Sequence, residues 1–303
     1  MSRRYAIYDV FTAERLKGNP LAVVFDAEGL SDAAMQVIAG EFALSETVFV
    51  LPPDNPAHGA RLRIFTPAHE LPFAGHPTVG TAIALAEASH PGATIDLVQV
   101  LEETIGPVRC AIRLAEGEPS FAEFDLPRRS EPLQAAFDRQ AVADALGIKS
   151  TDVGFENHVP MLWSAGVPFV TIPVHDLAAA AAIEFDPAGW ERIAPLAEGR
   201  LAAAYVYCRG GIHHQARFHA RMFAPGMGIV EDPATGGAAA AFSGTINHFD
   251  QPTDGHHAFL IEQGVEMGRA SYLHLHLDIA QSKVSAARIG GQAVKVAEGV
   301  LFV

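Results

Sequence analysis

Apolar and polar residues alternate from the start of the chain. Tyr5, Ile7 and Val10 share one face, which predicts a strand. Gly18-Asn19-Pro20 then punctuates the chain before the continuous apolar run Leu21 to Phe25, a second strand. Ser31 is a good N-cap with Asp32 in the first turn, and Met35, Ile38, Ala39 and Phe42 follow at helical spacing. Thr47 to Val50 is the next strand, Pro52 to Gly59 a loop, and Arg61 to Phe65 alternates again. Gly75 to Glu87 reads as an alanine-rich helix opening around Pro77. The polar, proline-bracketed stretch from Leu126 to Pro132 is the best linker.

The pattern repeats. Arg63-Ile64-Phe65-Thr66-Pro67 returns as Arg221-Met222-Phe223-Ala224-Pro225, an offset of 158 residues. His76-Pro77-Thr78-Val79-Gly80 corresponds to Asp232-Pro233-Ala234-Thr235-Gly236 at an offset of 156, each followed by small residues. A weaker pair joins Gly18-Asn19-Pro20 to Gly166-Val167-Pro168 at 148. Three ordered matches near one offset, about half of 303 residues, point to two duplicated halves.

Composition narrows the function. A 49% hydrophobic chain of this length buries a sizeable core and is not disordered. Twenty-one basic against 35 acidic residues leave a net charge of −14, the wrong sign for general binding to nucleic acid or to an anionic membrane. Cys110 and Cys208 sit in strand-like apolar runs, read as buried thiols in a cytoplasmic protein, and no apolar run approaches the length of a membrane span. An anionic substrate must therefore be held locally. The repeated motif offers a means, because a helix start presents unpaired N–H groups and a partial positive charge. Gly75, Gly80, Gly236 and Gly237 allow close approach to those backbones, and Pro77, Thr78 and Thr235 belong to the same openings. His76 and Asp232 fall at N-cap-like positions, where an isolated motif would read as a cap. Duplication with two different polar residues argues instead for a ligand cleft between two halves.

These motifs resemble those of the phenazine-biosynthesis PhzF-like family, related in fold to diaminopimelate epimerase and proline racemase. The resemblance is carried by Val10-Phe11-Thr12, Gly18 to Val23, Leu44-Ser45-Glu46-Thr47, Phe65-Thr66-Pro67, Glu70 to Thr78, Glu231 to Gly236, Gln263-Gly264 and Gly268-Arg269. It implies an α+β fold of two pseudo-symmetric domains, each a mostly antiparallel sheet wrapped around a central helix. Residues 1–127 with a returning strand at 284–303 would form one domain, and 128–283 the other. It also implies a homodimer and an isomerase that moves a proton without metal or organic cofactor. Glu46 takes the place of the acid/base glutamate, with His76 and Asp232 supporting it. Gly237 stands where many members have serine, removing a hydroxyl that can contact substrate.

The residues leave other readings. A noncatalytic ligand-binding protein on the same scaffold is the main alternative. Fourteen histidines invite a metal, but His274 and His276 supply only two ligands on one strand face, and Pro72 breaks the zincin-like start at His69-Glu70. No cysteine lies in either helix-start motif, against a two-thiol racemase mechanism.

Overall fold

A computed structural model describes residues 2–303; Met1, the first residue of the expected N-terminal half, lies outside them. The chain divides into two compact units, one running up to Pro127 and including Gly290–Val303, the other Arg128–Ile289.

In the first unit the elements are β1 (Ser2–Val10), β2 (Asn19–Val24), α1 (Asp32–Phe42), β3 (Glu46–Leu51), β4 (Ala60–Phe65) and β5 (Glu70–Leu71). They continue with α2 (Gly75–Ser89), β6 (Ile95–Glu103), β7 (Gly106–Leu114) and β8 (Ser120–Asp125). β1 and β2 pair antiparallel, β2 and β3 parallel, and β4 pairs antiparallel with β3 and β5. β4 then pairs parallel with β6, and β6 and β7 antiparallel. Helix α2 packs against β1, β2, β3, β6, β7 and β8. It is buried on every side from Gly75 to Ala84, so it lacks the polar stripe of a surface helix. Gly80 makes this packing possible: a Cβ there would lie 2.6 Å from Leu21 Cδ2 and 2.7 Å from Val10 Cγ2. By contrast α1 keeps one buried face, Met35, Ile38 and Ala39, with Ser31 Oγ accepting from the Ala34 N–H as its cap.

The second unit begins with β9 (Glu131–Leu133), α3 (Arg139–Leu146), β10 (Met161–Ser164) and β11 (Pro168–Pro173). Two short helices, α4 (Leu177–Ala181) and α5 (Pro187–Ile193), and a small hairpin, β12 (Leu196–Ala197) with β13 (Arg200–Leu201), come next. The main sheet resumes at β14 (Ala203–Arg209), β15 (Phe218–Ala224) and β16 (Ile229–Asp232). It is followed by α6 (Gly236–Asp250), β17 (Gly255–Gln263) and β18 (Ser271–Ala280). The pairing order repeats the first unit: β10–β11 antiparallel, β11–β14 parallel, β15 antiparallel with β14 and β16, β15–β17 parallel, β17–β18 antiparallel. Helix α6 takes the place of α2 and is buried from Ala238 to Ile246. The last strand, β19 (Lys283–Phe302), pairs antiparallel with β1 from Ser2↔Phe302 to Val10↔Ala293.

This is the α+β architecture expected, a sheet closed around a buried helix and built twice. Among the described residues, no helix is long and apolar enough to cross a membrane. Cys110 and Cys208 are buried free thiols, and burial pushes both above the usual thiol range.

Candidate active site

The parallel pairing of β2 and β3 sets Glu46 opposite Leu21, at the first position of β3. Ser45, just before it, donates from Oγ to Asn19 Oδ1 at 3.0 Å, which ties this strand start to the buried Asn19 of the Gly18-Asn19-Pro20 turn. Pro20 carries no N–H but offers its carbonyl, and the His76 ring donates a hydrogen bond to it. Leu21 and Val10 hold α2 close through Gly80, so the first turn of α2 brings His76 to this place. His76 Nε2 lies 3.5 Å from Glu46 Oε2, with the two side chains only 5% and 13% exposed.

The protonation of His76 follows from its surroundings. Burial drives its pKa from 6.5 down to about 3, opposed only by the Pro20 hydrogen bond, so the ring is neutral near pH 7. Its one proton is held on the Pro20 side. Nε2 makes no hydrogen bond with a described residue and therefore turns its lone pair toward Glu46. Such a pair accommodates a carboxyl group that carries a proton, or a donor placed between the two groups.

Burying a neutral histidine has a measurable consequence. Between pH 6.5 and about 3 the unfolded chain takes up a proton that the folded chain refuses. The stabilisation is therefore complete above pH 6.5 and is lost as pH falls, with a limiting slope of about 1.4 kcal/mol per pH unit. Urea unfolding from pH 7 to 4 should show this extra slope in the wild type and not in His76→Asn.

In the second unit Asp232 closes β16, buried at 6% exposure. Its carboxylate accepts a hydrogen bond from Thr235 Oγ1, and its carbonyl accepts from Gln263 Nε2 at 2.8 Å. Gln263 also donates to Thr235 Oγ1 at 3.1 Å and accepts from the Thr235 N–H at 3.3 Å. Gly236 and Gly237 are the first residues of α6. A Cβ on Gly237 would sit 3.7 Å from Phe169 Cε2, ordinary contact, so the missing side chain reflects no lack of space.

The expected cap positions of His76 and Asp232 are corrected here. Ala74 is the N-cap of α2, with Gly75 first, His76 second and Pro77 third inside the helix. Thr235 is the N-cap of α6, and Asp232 stands three residues before it, at the end of a strand. Proline fits the third position because the first-turn N–H groups have no helical partner in any case. Neither Ala74 nor Thr235 makes a side-chain cap hydrogen bond, and neither first turn holds an acidic residue. Helices α1 and α3 are instead capped, by Ser31 and Asp138. The two buried helices thus keep their N-terminal donors available. Thr78 bonds within its own unit: its hydroxyl lies 2.7 Å from the Ala74 carbonyl and 2.7 Å from Glu103 Oε1.

The repeated Arg-x-Phe-x-Pro motif also has a structural role that its linear pattern does not reveal. Arg63 forms a two-point ion pair with Glu70, from Nε at 2.8 Å and Nη2 at 2.5 Å, and lies over the Phe65 ring. Arg221 does the same with Glu231, at 2.8 and 3.0 Å, over Phe223. Each glutamate sits on the short strand, β5 or β16, that precedes a central helix. Charge-assisted two-point pairing fixes that short strand with little torsional freedom. The glutamate after each repeated arginine was the available signal. Among the described residues no group of three or more His, Cys, Asp or Glu side chains is arranged to hold a metal ion.

Comparison with known proteins follows this architecture. A sequence model of the phenazine biosynthesis-like (PhzC-PhzF) family matches residues 8–299. The chain belongs to this family. A relative in Mesorhizobium japonicum, named an uncharacterized isomerase, is 59% identical over 304 residues, covering 100% of this chain and 99% of the relative. The trans-2,3-dihydro-3-hydroxyanthranilate isomerase of Pseudomonas aeruginosa is 36% identical, with 98% of each chain covered. Among solved structures, a predicted epimerase from Pseudomonas aeruginosa aligns at TM-score 0.78 and 31% identity over 99% of both chains. A hydroxyproline epimerase from Agrobacterium vitis, at TM-score 0.65 and 13% identity over 99% of this chain and 92% of its own, shares the fold. The protein is a PhzF-like isomerase.

Proposed function

We propose that this PhzF-like isomerase moves a proton between two carbons of a small carboxylated metabolite, using its own side chains and no cofactor. The observation that carries this reading is the contact of Glu46 with a neutral, buried His76. In the proposed reaction the Glu46 carboxylate takes a proton from an acidic C–H of the substrate. It holds that proton as a carboxylic acid and returns it at a second carbon. The C–H bond broken is replaced by another, the double bonds shift between them, and no electron is gained or lost. A partly desolvated carboxyl suits this exchange because water does not lock it in the ionised form.

His76 Nε2 supports the reading as a preorganised acceptor beside the carboxyl, held in one tautomer by Pro20. Asp232, oriented by Thr235 and Gln263, is proposed as the second polar support. The helix starts at Gly75-His76 and at Gly236-Gly237 lack capping side chains, and each offers backbone N–H donors to an anion. On this reading local helix starts, rather than net charge, let a chain of charge −14 hold an anion.

The relative of known name makes trans-2,3-dihydro-3-hydroxyanthranilate the first compound to test. Turnover in D2O should place deuterium on a carbon of the product, seen by proton NMR and mass spectrometry. Product without deuterium, formed under conditions where free proton exchange is expected, would contradict a solvent-equilibrated carboxyl shuttle.

A further inference from the structure

Glu103 ends β6 and is buried, and neither the proton transfer nor substrate binding as proposed uses it. The adjoining turn is tied to the segment before α2, because the Ile105 N–H donates to the Pro72 carbonyl at 3.1 Å. Glu103 Oε1 lies 2.7 Å from Thr78 Oγ1, and Oε2 makes no hydrogen bond with a described residue. Thr78 Oγ1 is also 2.7 Å from the Ala74 carbonyl, which can only accept. A hydroxyl has one proton to give. With Thr78 donating to Ala74, the hydrogen between Thr78 and Glu103 has to come from the carboxyl group.

Resting on the proton-transfer reading above, we propose that Glu103 is kept as a neutral carboxylic acid. In that form it is a positioning residue, holding Thr78 on the N-cap of α2 and thereby the turn that carries His76 to Glu46. The chain that transmits the effect is short: Glu103, Thr78, the Ala74 carbonyl, then His76 one residue beyond Gly75. An ionised Glu103 demands the Thr78 hydroxyl for itself, since a carboxylate cannot donate. The Ala74 carbonyl then loses that bond, and the first turn of α2 loosens beneath His76.

Among the described residues no charged group offsets ionisation of Glu103. His76 on α2 is neutral, and the Cys110 thiol on β7 is pushed up by burial and by Glu103 itself. Arg109 on β7 and Asp125 on β8 pair with each other at 3.2 Å, both about half exposed. Phe73 and Phe124, in edge contact at 5.5 Å between ring centroids, add apolar cover on this side of the unit. Burial raises the Glu103 pKa to about 8, so the group titrates within reach of ordinary assays.

Two measurements test the proposal without needing turnover. Infrared difference spectra between pH 6.5 and 9.5 should show a protonated carboxyl band lost in the wild type with a midpoint near pH 8. That band should be absent in Glu103→Gln, whose amide still donates to Thr78. In parallel, the ring nitrogen NMR signals of His76 should move through the same midpoint in the wild type. They should stay fixed in Glu103→Gln and in Thr78→Val, while Thr78→Val keeps the infrared band. If Thr78→Val fails to fold, Glu103→Gln alone decides. With trans-2,3-dihydro-3-hydroxyanthranilate, wild-type kcat should fall about tenfold per pH unit above the midpoint, and this limb should vanish in Glu103→Gln. No protonated carboxyl band at pH 6.5, or a His76 response unchanged in both variants, overturns the proposal. Both spectroscopic titrations present without turnover would instead count against the proton-transfer reading.

Discussion

Glu46→Gln should lower kcat by about 10²–10⁴ and abolish incorporation of solvent deuterium into the product, while the protein still folds and binds its ligand. The amide matches the carboxyl in shape, so the start of β3 and its pairing with Leu21 are retained. What it loses is the ability to accept a proton from carbon and give it back. The Glu46 side chain is 13% exposed and faces a histidine already neutral at pH 7, so no second charged group in this contact takes over the transfer. The unfolding free energy should stay within about 1 kcal/mol of wild type, as befits a near-isosteric change. Ligand affinity, read by calorimetry, should change by only a few-fold. A variant that exchanges substrate protons at the wild-type rate would remove Glu46 from the reaction.

The largest effect on stability is expected from Gly264→Ala, at the turn after β17. Gly264 has φ +75°, and a Cβ there would meet the Pro233 carbonyl oxygen at 2.6 Å and that of Arg269 at 2.7 Å. Both are backbone atoms and cannot swing aside as a side-chain end does. The left-handed conformation costs a non-glycine residue about 1–2 kcal/mol, and overpacking adds about 1–3 kcal/mol. Calorimetry should show a fall in Tm on the order of 5–15 °C. Because Pro233 follows Asp232, the displaced turn should also reduce activity in the molecules that remain folded. Gly268→Ala is the control: its φ is +71°, and no atom of the described residues lies within 4 Å of the new Cβ, so only the conformational cost remains. Equal losses in the two variants would show that the contacts with Pro233 and Arg269 carry no weight.

Much of the site was legible because its chemistry is confined to short segments. Gly18-Asn19-Pro20 and His76-Pro77-Thr78 announce a turn and a helix start by local grammar and have counterparts in the second half, whereas Glu46 stood out only through the family resemblance. Local grammar also explains the errors. Asp and His before Pro resemble caps, yet the backbone at Ala74 and at Thr235 is where each helix begins. The tight backbone packing of α2 and α6 decided those starts, and a residue-by-residue preference contains no information about such packing. Glu103 was invisible for a related reason. A glutamate at the end of an alternating strand reads as solvated, and only the fold brings Thr78, 25 residues earlier, against its carboxyl.

By itself the sequence determined the period of the architecture, the two glycine- and alanine-rich helix starts, the identity of the polar groups and the need to hold any anion locally. These depend on spacing and residue type, which the linear chain contains in full. The tertiary structure decided which polar groups share a hydrogen or face a lone pair. His76 is neutral because it is buried against the Pro20 carbonyl, and Arg63 and Arg221 brace their short strands because β5 and β16 return beside them. Protonation and pairing depend on dielectric and distance, and both exist only once the chain has folded.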